Sequence, residues 1–167
     1  MDPNHYRFQG VWRLAAPAPA VFAALEDVGN YPRWWPEILD ARRTGEDSGE
    51  MVVRALLPYR LVIGLEARRR DPATGVLEVA MRGDLDGWSR FTVAPETPEA
   101  PAGGGAGEGR AGTRVLFEED TRPGKALLRR LALPLHPVFR ANHAVMMRRG
   151  RRGLAAYLAG GATEGHG

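Results

Sequence analysis

Imidazole occurs at four positions of this 167-residue chain: His5, His136, His143 and His166. By residue type His143 is the best candidate for a general acid or base, because an unperturbed imidazole changes charge near neutral pH. With Asn142 it interrupts an otherwise apolar stretch. A buried Asn or His needs a partner, since an unsatisfied buried polar group costs roughly 1–3 kcal/mol. Glu118 or Glu119 upstream can supply one, which makes the pair structural; otherwise Asn142 and His143 are free to meet a ligand. Asp86 and Asp120 add carboxylates, but the spacing of a carboxylate pair cannot be read from sequence. Other chemistry has no motif. His-Glu-x-x-His and Gly-x-Ser-x-Gly are absent, and Gly103 to Gly105 with Gly107 do not open a helix after a strand. No cysteine is present, which excludes a disulfide framework, a thiolate metal site and a cysteine nucleophile, and fits a reducing compartment. No metal and no cofactor is expected.

The elements that must carry these residues are short strands bracketed by helices. Tyr6 to Leu14 alternates, with Tyr6, Phe8, Trp12 and Leu14 on one face and Arg7, Gln9 and Arg13 on the other, as a half-buried strand does. A short helix follows, with Val21, Phe22, Leu25 and Val28 as its apolar stripe, Pro17 and Pro19 at its entry and Gly29 at its stop. Asn30 then caps a second short helix with Pro32 in its first turn. Further strands are predicted at Ile38 to Thr44, Met51 to Leu57, Tyr59 to Arg70, Val76 to Arg82, Asp84 to Val93 and Thr113 to Asp120, with turns at 45–49 and 71–75. Residues 94–112 are rich in Pro, Gly and Ala and predict a mobile hairpin loop. Lys125 to Leu133 is helical, Pro134 and Pro137 interrupt it, and a long helix runs from Val138 to about Ala159. Gly150 and Gly153 lie inside that helix, where each costs roughly 1 kcal/mol relative to alanine. Close packing of the helix backbone on the sheet is the expected compensation. The tail, 159–167, is expected to be disordered. Strands in sequence, not alternating with helices, predict one α+β domain with an antiparallel sheet.

The formal charge is +3 and lysine occurs once, at Lys125. Arginines crowd the C-terminal part, from Arg129 and Arg130 through Arg140 to Arg148, Arg149, Arg151 and Arg152. They form either a solvated helix face or a surface for anionic lipid or an acidic partner. No nucleic-acid motif accompanies them, so no nucleic acid is expected. The N-terminus lacks a signal-peptide pattern and no apolar run approaches a membrane span, which predicts a cytoplasmic protein.

Ala16-Pro17, the helix after it, and Tyr31-Pro32-Arg33-Trp34 resemble the start of the START-like (SRPBCC) superfamily. This is the helix-grip fold of polyketide cyclases, Bet v 1-like plant binders and lipid-transfer domains. Asn142 to Met146, with Gly153, Leu154 and Leu158, resembles the last helix of bacterial polyketide cyclase/dehydrase-like members. The resemblance runs from about Tyr6 to Leu158. It implies a curved seven-stranded antiparallel sheet wrapped around a long C-terminal helix, two short helices after the first strand, and a cavity between sheet and helix.

Within that fold the buried stripe of the last helix is expected to be Phe139, Asn142 or His143, Met146, Gly150, Leu154 and Tyr157. On the sixth strand the apolar count favours Leu85, Gly87, Ser89, Phe91 and Val93 inward; the opposite parity would put Trp88 and Arg90 in the pocket as an aromatic wall and a cation, with Arg54 and Arg82 as comparable cations elsewhere. Of Trp34 and Trp35, one is expected beneath the short helix and one at the cavity mouth, unless both are core. The expected ligand-binding residues are Trp34, Trp35, Phe91, Glu118, Phe139, Asn142, His143 and Met146, with His143 the catalytic candidate. The resemblance implies a binder of a small hydrophobic or aromatic molecule. The alternatives are a polyketide aromatase, cyclase or dehydratase and a lipid or quinone carrier that touches membranes through Trp34, Trp35 and the arginines. An acyl carrier protein or a membrane surface is the candidate partner, and the chain is a monomer or homodimer.

Overall fold

A computed structural model describes residues 4–55, 59–96 and 112–161. Its elements are β1 (Tyr6–Leu14), α1 (Ala18–Glu26), a 3-10 helix (Val28–Arg33), β2 (Ile38–Arg43), β3 (Ser48–Arg54), β4 (Arg60–Asp71), β5 (Val76–Gly83), β6 (Leu85–Glu96), β7 (Gly112–Pro123) and α2 (Ala126–Gly161). The strands form one antiparallel seven-stranded sheet in the order β1-β7-β6-β5-β4-β3-β2. Chain order is therefore kept from β2 to β7, and β1 closes onto β7 at the far edge.

Irregularities curve the sheet. The ladder shifts register at Ile38/Asp40 in β2 and at Ala67/Arg69 in β4, and such bulges bend a strand and raise its twist. Gly87 has φ +148°, and a Cβ there would lie 2.0 Å from the Asp120 carbonyl oxygen. β6 and β7 thus approach more closely at that point than any side chain allows.

Several boundaries differ from those expected. Ser48 and Gly49 belong to β3, because Gly49 pairs with both Arg43 and Leu65. β6 and β7 continue into the region read as a loop, pairing Glu96 with Gly112; residues 97–111 lie outside the described residues, as do 56–58 and the tail beyond 161. Asn30 does not cap the second short helix. It sits inside the 3-10 helix and its side-chain amide donates to Asp27.

The largest difference is α2, a single helix of 36 residues that passes through Pro134 and Pro137. Each proline removes one intrahelical donor. Both are exposed and three residues apart, on one solvent-facing side of the helix. Water can therefore satisfy the carbonyls they leave free, and the helix continues.

The main core joins Trp12 and Leu14 of β1, Val21, Phe22 and Leu25 of α1, Tyr31, Trp34 and Trp35, and Met147 and Leu154 of α2. Tyr31 is locked there by its phenol, which donates to the Leu25 carbonyl at 2.6 Å. A smaller cluster of Val53, Ile63 and Met81 lies on β3, β4 and β5, and Met51 and Met146 touch both clusters.

Candidate ligand cavity

Two fixed points hold α2 over the concave sheet. At its start the Lys125 ammonium lies 2.7 Å from the buried Asp84 carboxylate, which also accepts the Val62 N–H at 2.9 Å. Towards its end α2 packs on the two tryptophans. A Cβ on Gly150 would meet the Trp35 ring at 2.5 Å, and one on Gly153 would meet the Trp34 carbonyl oxygen at 1.6 Å. The glycines therefore do permit close packing, but on the Trp34-Trp35 segment and not on the sheet. Trp35 Nε1 adds a bond to the Met146 carbonyl at 3.0 Å, and Arg149 reaches the buried Glu37 at 2.9 Å.

Between these points the helix and the sheet enclose a cavity of about 710 Å³. Its wall is mainly apolar: Met51, Ile63, Met81 and Phe91 from the strands, Phe139 and Met146 from α2. Exposed charged side chains such as Glu26, Arg42, Arg54 and Arg69 also line it, and a strip of polar groups interrupts the sheet wall. The cross-strand register puts Ser89 of β6 and Phe8 of β1 on either side of Glu119, and Gly87 and Tyr6 on either side of Thr121. Ser89, Glu119, Thr121 and Tyr6 all line the cavity, and Asn142 and His143 face them from α2. Burial pushes the Tyr6 phenol above its ordinary pKa.

His143 stacks on Phe8 with ring centroids 3.7 Å apart and a 10° angle between planes. Its Nε2 lies 3.4 Å from Glu119 Oε2. Glu119 Oε1 accepts the Thr121 hydroxyl at 3.0 Å. A carboxylate beside an imidazole in an apolar cavity can hold and move a proton. The other histidines stand elsewhere. His5 bonds Asp120 at 2.6 Å, and together with Arg7 holds that carboxyl below its usual range, while His136 stacks on Tyr6. His166 lies outside the described residues.

Of the expected ligand-binding residues, Trp35, Phe91, Phe139, Asn142, His143 and Met146 share this cavity. Two do not. Glu118 falls one residue out of phase with Phe117 and Glu119, so it lies on the outer face, opposite Arg90 and 3.6 Å from its guanidinium. Trp34 is buried against Tyr31 and Trp35 and is absent from the cavity wall. Neither tryptophan is at the mouth, because both are under 5% exposed, and neither can reach a membrane. The apolar face of β6 does turn inward. Arg90 is held on the outer face by Glu78 at 2.6 Å and stacks over Trp88. Arg54 lines the cavity and Arg82 does not. On α2, Met147 takes the buried place next to Gly150 and Leu154, whereas Tyr157 is 37% exposed.

Thr121 was not expected in the site, whereas Ser89 lies on the face of β6 expected inward and Glu119 is one of the two partners expected for Asn142 or His143. The signal was present: Val115 and Phe117 set the phase of β7, and two-residue alternation carries it to Glu119 and Thr121.

A second hollow of about 470 Å³ runs between the free edge of β1 and α2. Arg7, Arg140, Arg148 and Arg151 line it without a carboxylate among the lining residues, and Phe8, Phe117 and His143 are common to it and the cavity. Among the described residues no helix is long and apolar enough to cross a membrane.

No curated protein matches the chain. Solved structures do. The Zhui aromatase/cyclase from Streptomyces sp. R1128 superposes with a TM-score of 0.69 at 13% identity, covering 93% of this chain and 94% of that one. A START superfamily protein from Mycobacterium smegmatis gives 0.66 at 12% identity over 92% and 97%. A protein of Thermus thermophilus gives 0.71 at 13% identity over 93% and 99%. At these identities the likeness is one of fold, the START-like helix grip. The family model for polyketide cyclase/dehydrase and lipid transport proteins matches residues 6–159, nearly the whole chain, and the protein belongs to that family.

Proposed function

We propose that this protein binds a small hydrophobic or aromatic molecule in the cavity between the sheet and α2. One observation carries the reading: a 710 Å³ space walled mainly by apolar Met, Ile, Leu and Phe side chains, with a polar strip on β6 and β7 and further charged side chains such as Arg42, Arg54 and Arg69. Ligand pockets span about 300–1,000 Å³ and combine an apolar lining with a few placed polar groups. The fold neighbours include an aromatase/cyclase, which supports the same class of ligand. Native mass spectrometry of the purified protein, followed by extraction and identification of what co-purifies, tests this. A thermal-shift screen of aromatic and lipid compounds complements it. A ligand at a hundred times its Kd stabilises the fold by about 2.7 kcal/mol, a rise of roughly 5–10 °C for a chain of this size. An empty protein that no compound stabilises overturns the proposal.

A second reading is enzymatic, and the His143–Glu119 pair favours it. An imidazole and a carboxylate beside a bound ketone would move protons during cyclisation or dehydration, while the cavity holds the chain in one bend. If the substrate arrives on an acidic acyl carrier protein, the arginine-lined hollow beside β1 is the complementary surface. His143→Phe keeps an aromatic ring against Phe8. This reading expects it to abolish turnover of a polyketide substrate with the melting temperature kept. Full turnover by the variant refutes an acid–base role.

A further inference from the structure

We infer that Glu119 is a hydroxyl-recognition site, and that the cavity selects aromatic molecules carrying a phenol or enol O–H over the same skeletons without one. This rests on the cavity-binding reading and names the class of ligand for it.

The Glu119 side chain is 9% exposed, so its carboxylate is committed to the cavity side of the sheet. Oε1 is occupied by the Thr121 hydroxyl at 3.0 Å. Oε2 has His143 Nε2 at 3.4 Å, longer than the roughly 2.7–2.9 Å of a charge-assisted N–H···O bond. No hydrogen bond forms, and Nε2 has no other partner among the described residues. The carboxylate thus keeps an unfilled acceptor in a cavity that is otherwise mainly apolar. A carboxylate accepts and does not donate, so a ketone, ether or ester oxygen gains nothing from Oε2. A ligand O–H donates to it directly. An ammonium would also pair with Oε2, but it loses several kcal/mol of hydration on entering an apolar wall. His143, stacked on Phe8 and 5.8 Å from the Phe117 ring centroid, stands beside the carboxylate on the helix side. Ser89, paired across from Glu119, adds a hydroxyl to the same strip.

The test uses three fluorescent probes with one four-ring skeleton: 1-hydroxypyrene, 1-methoxypyrene and 1-pyrenemethylammonium. Titrations are run below the phenol's own pKa. Wild-type protein is expected to bind 1-hydroxypyrene about tenfold more tightly than the methyl ether, the effect of one hydrogen bond to a charged acceptor. In Glu119→Leu the ratio falls to about one, and in Glu119→Gln, which keeps shape and a weaker acceptor, to roughly threefold. The ratio is the readout because general damage to the cavity weakens both probes alike. Equal binding of phenol and ether by wild type, or an unchanged ratio in both variants, overturns the hydroxyl site and leaves the cavity reading standing. Tighter binding of the ammonium than of the phenol also overturns it, in favour of a cation site. Failure of all three probes to bind overturns the selection for aromatic phenols, and the thermal-shift screen and mass spectrometry then decide the cavity reading.

Discussion

Gly153→Ala tests what holds α2 over the cavity. The added methyl would sit 1.6 Å from the Trp34 carbonyl oxygen and 2.8 Å from its carbonyl carbon. Ordinary carbon–oxygen contact is roughly 3.4 Å or more, so the helix must move away by almost 2 Å or the Trp34 backbone must shift. Neither group is the far end of a flexible side chain, and Trp34 and Trp35 are both buried in the main core. Overpacking of this kind costs about 1–3 kcal/mol, and a clash with backbone belongs at the upper end. Opposing it is the helix-propensity gain of Gly to Ala, about 1 kcal/mol. The net is a loss of roughly 2 kcal/mol, a fall in Tm of about 4–8 °C. Gly160→Ala is the control, because nothing lies within 4 Å of its Cβ position in the same helix; it should be neutral or slightly stabilising. Differential scanning fluorimetry or calorimetry reads both. A Gly153→Ala protein as stable as the wild type would refute the clamp, and with it the account of why two glycines sit mid-helix.

Asp84→Ala removes the acceptor of the Val62 N–H and the partner of Lys125, and is expected to cost about 2–3 kcal/mol in denaturant unfolding. Lys125→Ala leaves the Val62 bond in place and removes a partner that is 64% exposed, so its cost should stay under about 1 kcal/mol; equal losses would contradict this division. Burial first, and the Asp27 charge second, raise the pKa of Tyr31 far above the ordinary tyrosine value of 10.0. A folded pKa raised above the unfolded one gives stability that is whole below pH about 10 and is lost progressively above it. Among the four tyrosines, absorbance at alkaline pH should therefore show Tyr31 ionising only as the protein unfolds, and Tyr31→Phe should lose that component. Reversible ionisation of all four in the folded protein would contradict it.

The parts of the fold legible in the sequence are those where one periodicity acts alone. β1 alternates Tyr6, Phe8, Trp12 and Leu14 against Arg7, Gln9 and Arg13 because one face is buried and the other is wet. β6 could be phased the same way, since Phe91 and Val93 outweigh Trp88 as a buried face. The unread parts are those where a residue's local preference yields to a long-range partner. Pro134 and Pro137 break helices by local rule, but their lost donors face solvent. Glu118 and Glu119 are chemically alike, and only the pairing of Glu118 with Arg90 and of Glu119 with Ser89 tells them apart. Trp34 and Trp35 read as a free apolar surface because their partners, Gly150 and Gly153, lie more than a hundred residues away.

The same long-range contacts explain why a cavity exists where a core would otherwise form. A helix of 36 residues cannot follow a concave sheet along its whole length, so it rests on β1 along one side, through His136 on Tyr6 and His143 on Phe8, and stands off the rest. Here the salt bridge of Lys125 with Asp84 fixes the start, and the bed of Trp34 and Trp35 under Gly150 and Gly153 fixes the later turns. Leu128, Leu135, Phe139, Asn142, His143 and Met146 lie between these supports and all face the cavity. Stability is thus concentrated at the tryptophan bed and at Asp84, which also holds the Val62 N–H, and ligand contact in the span between them. Substitutions in the span should then change what is bound more than whether the chain folds. A cavity-facing Met146→Ala that lowers Tm as far as Gly153→Ala does would show that the span is ordinary core and that the division between support and site is wrong.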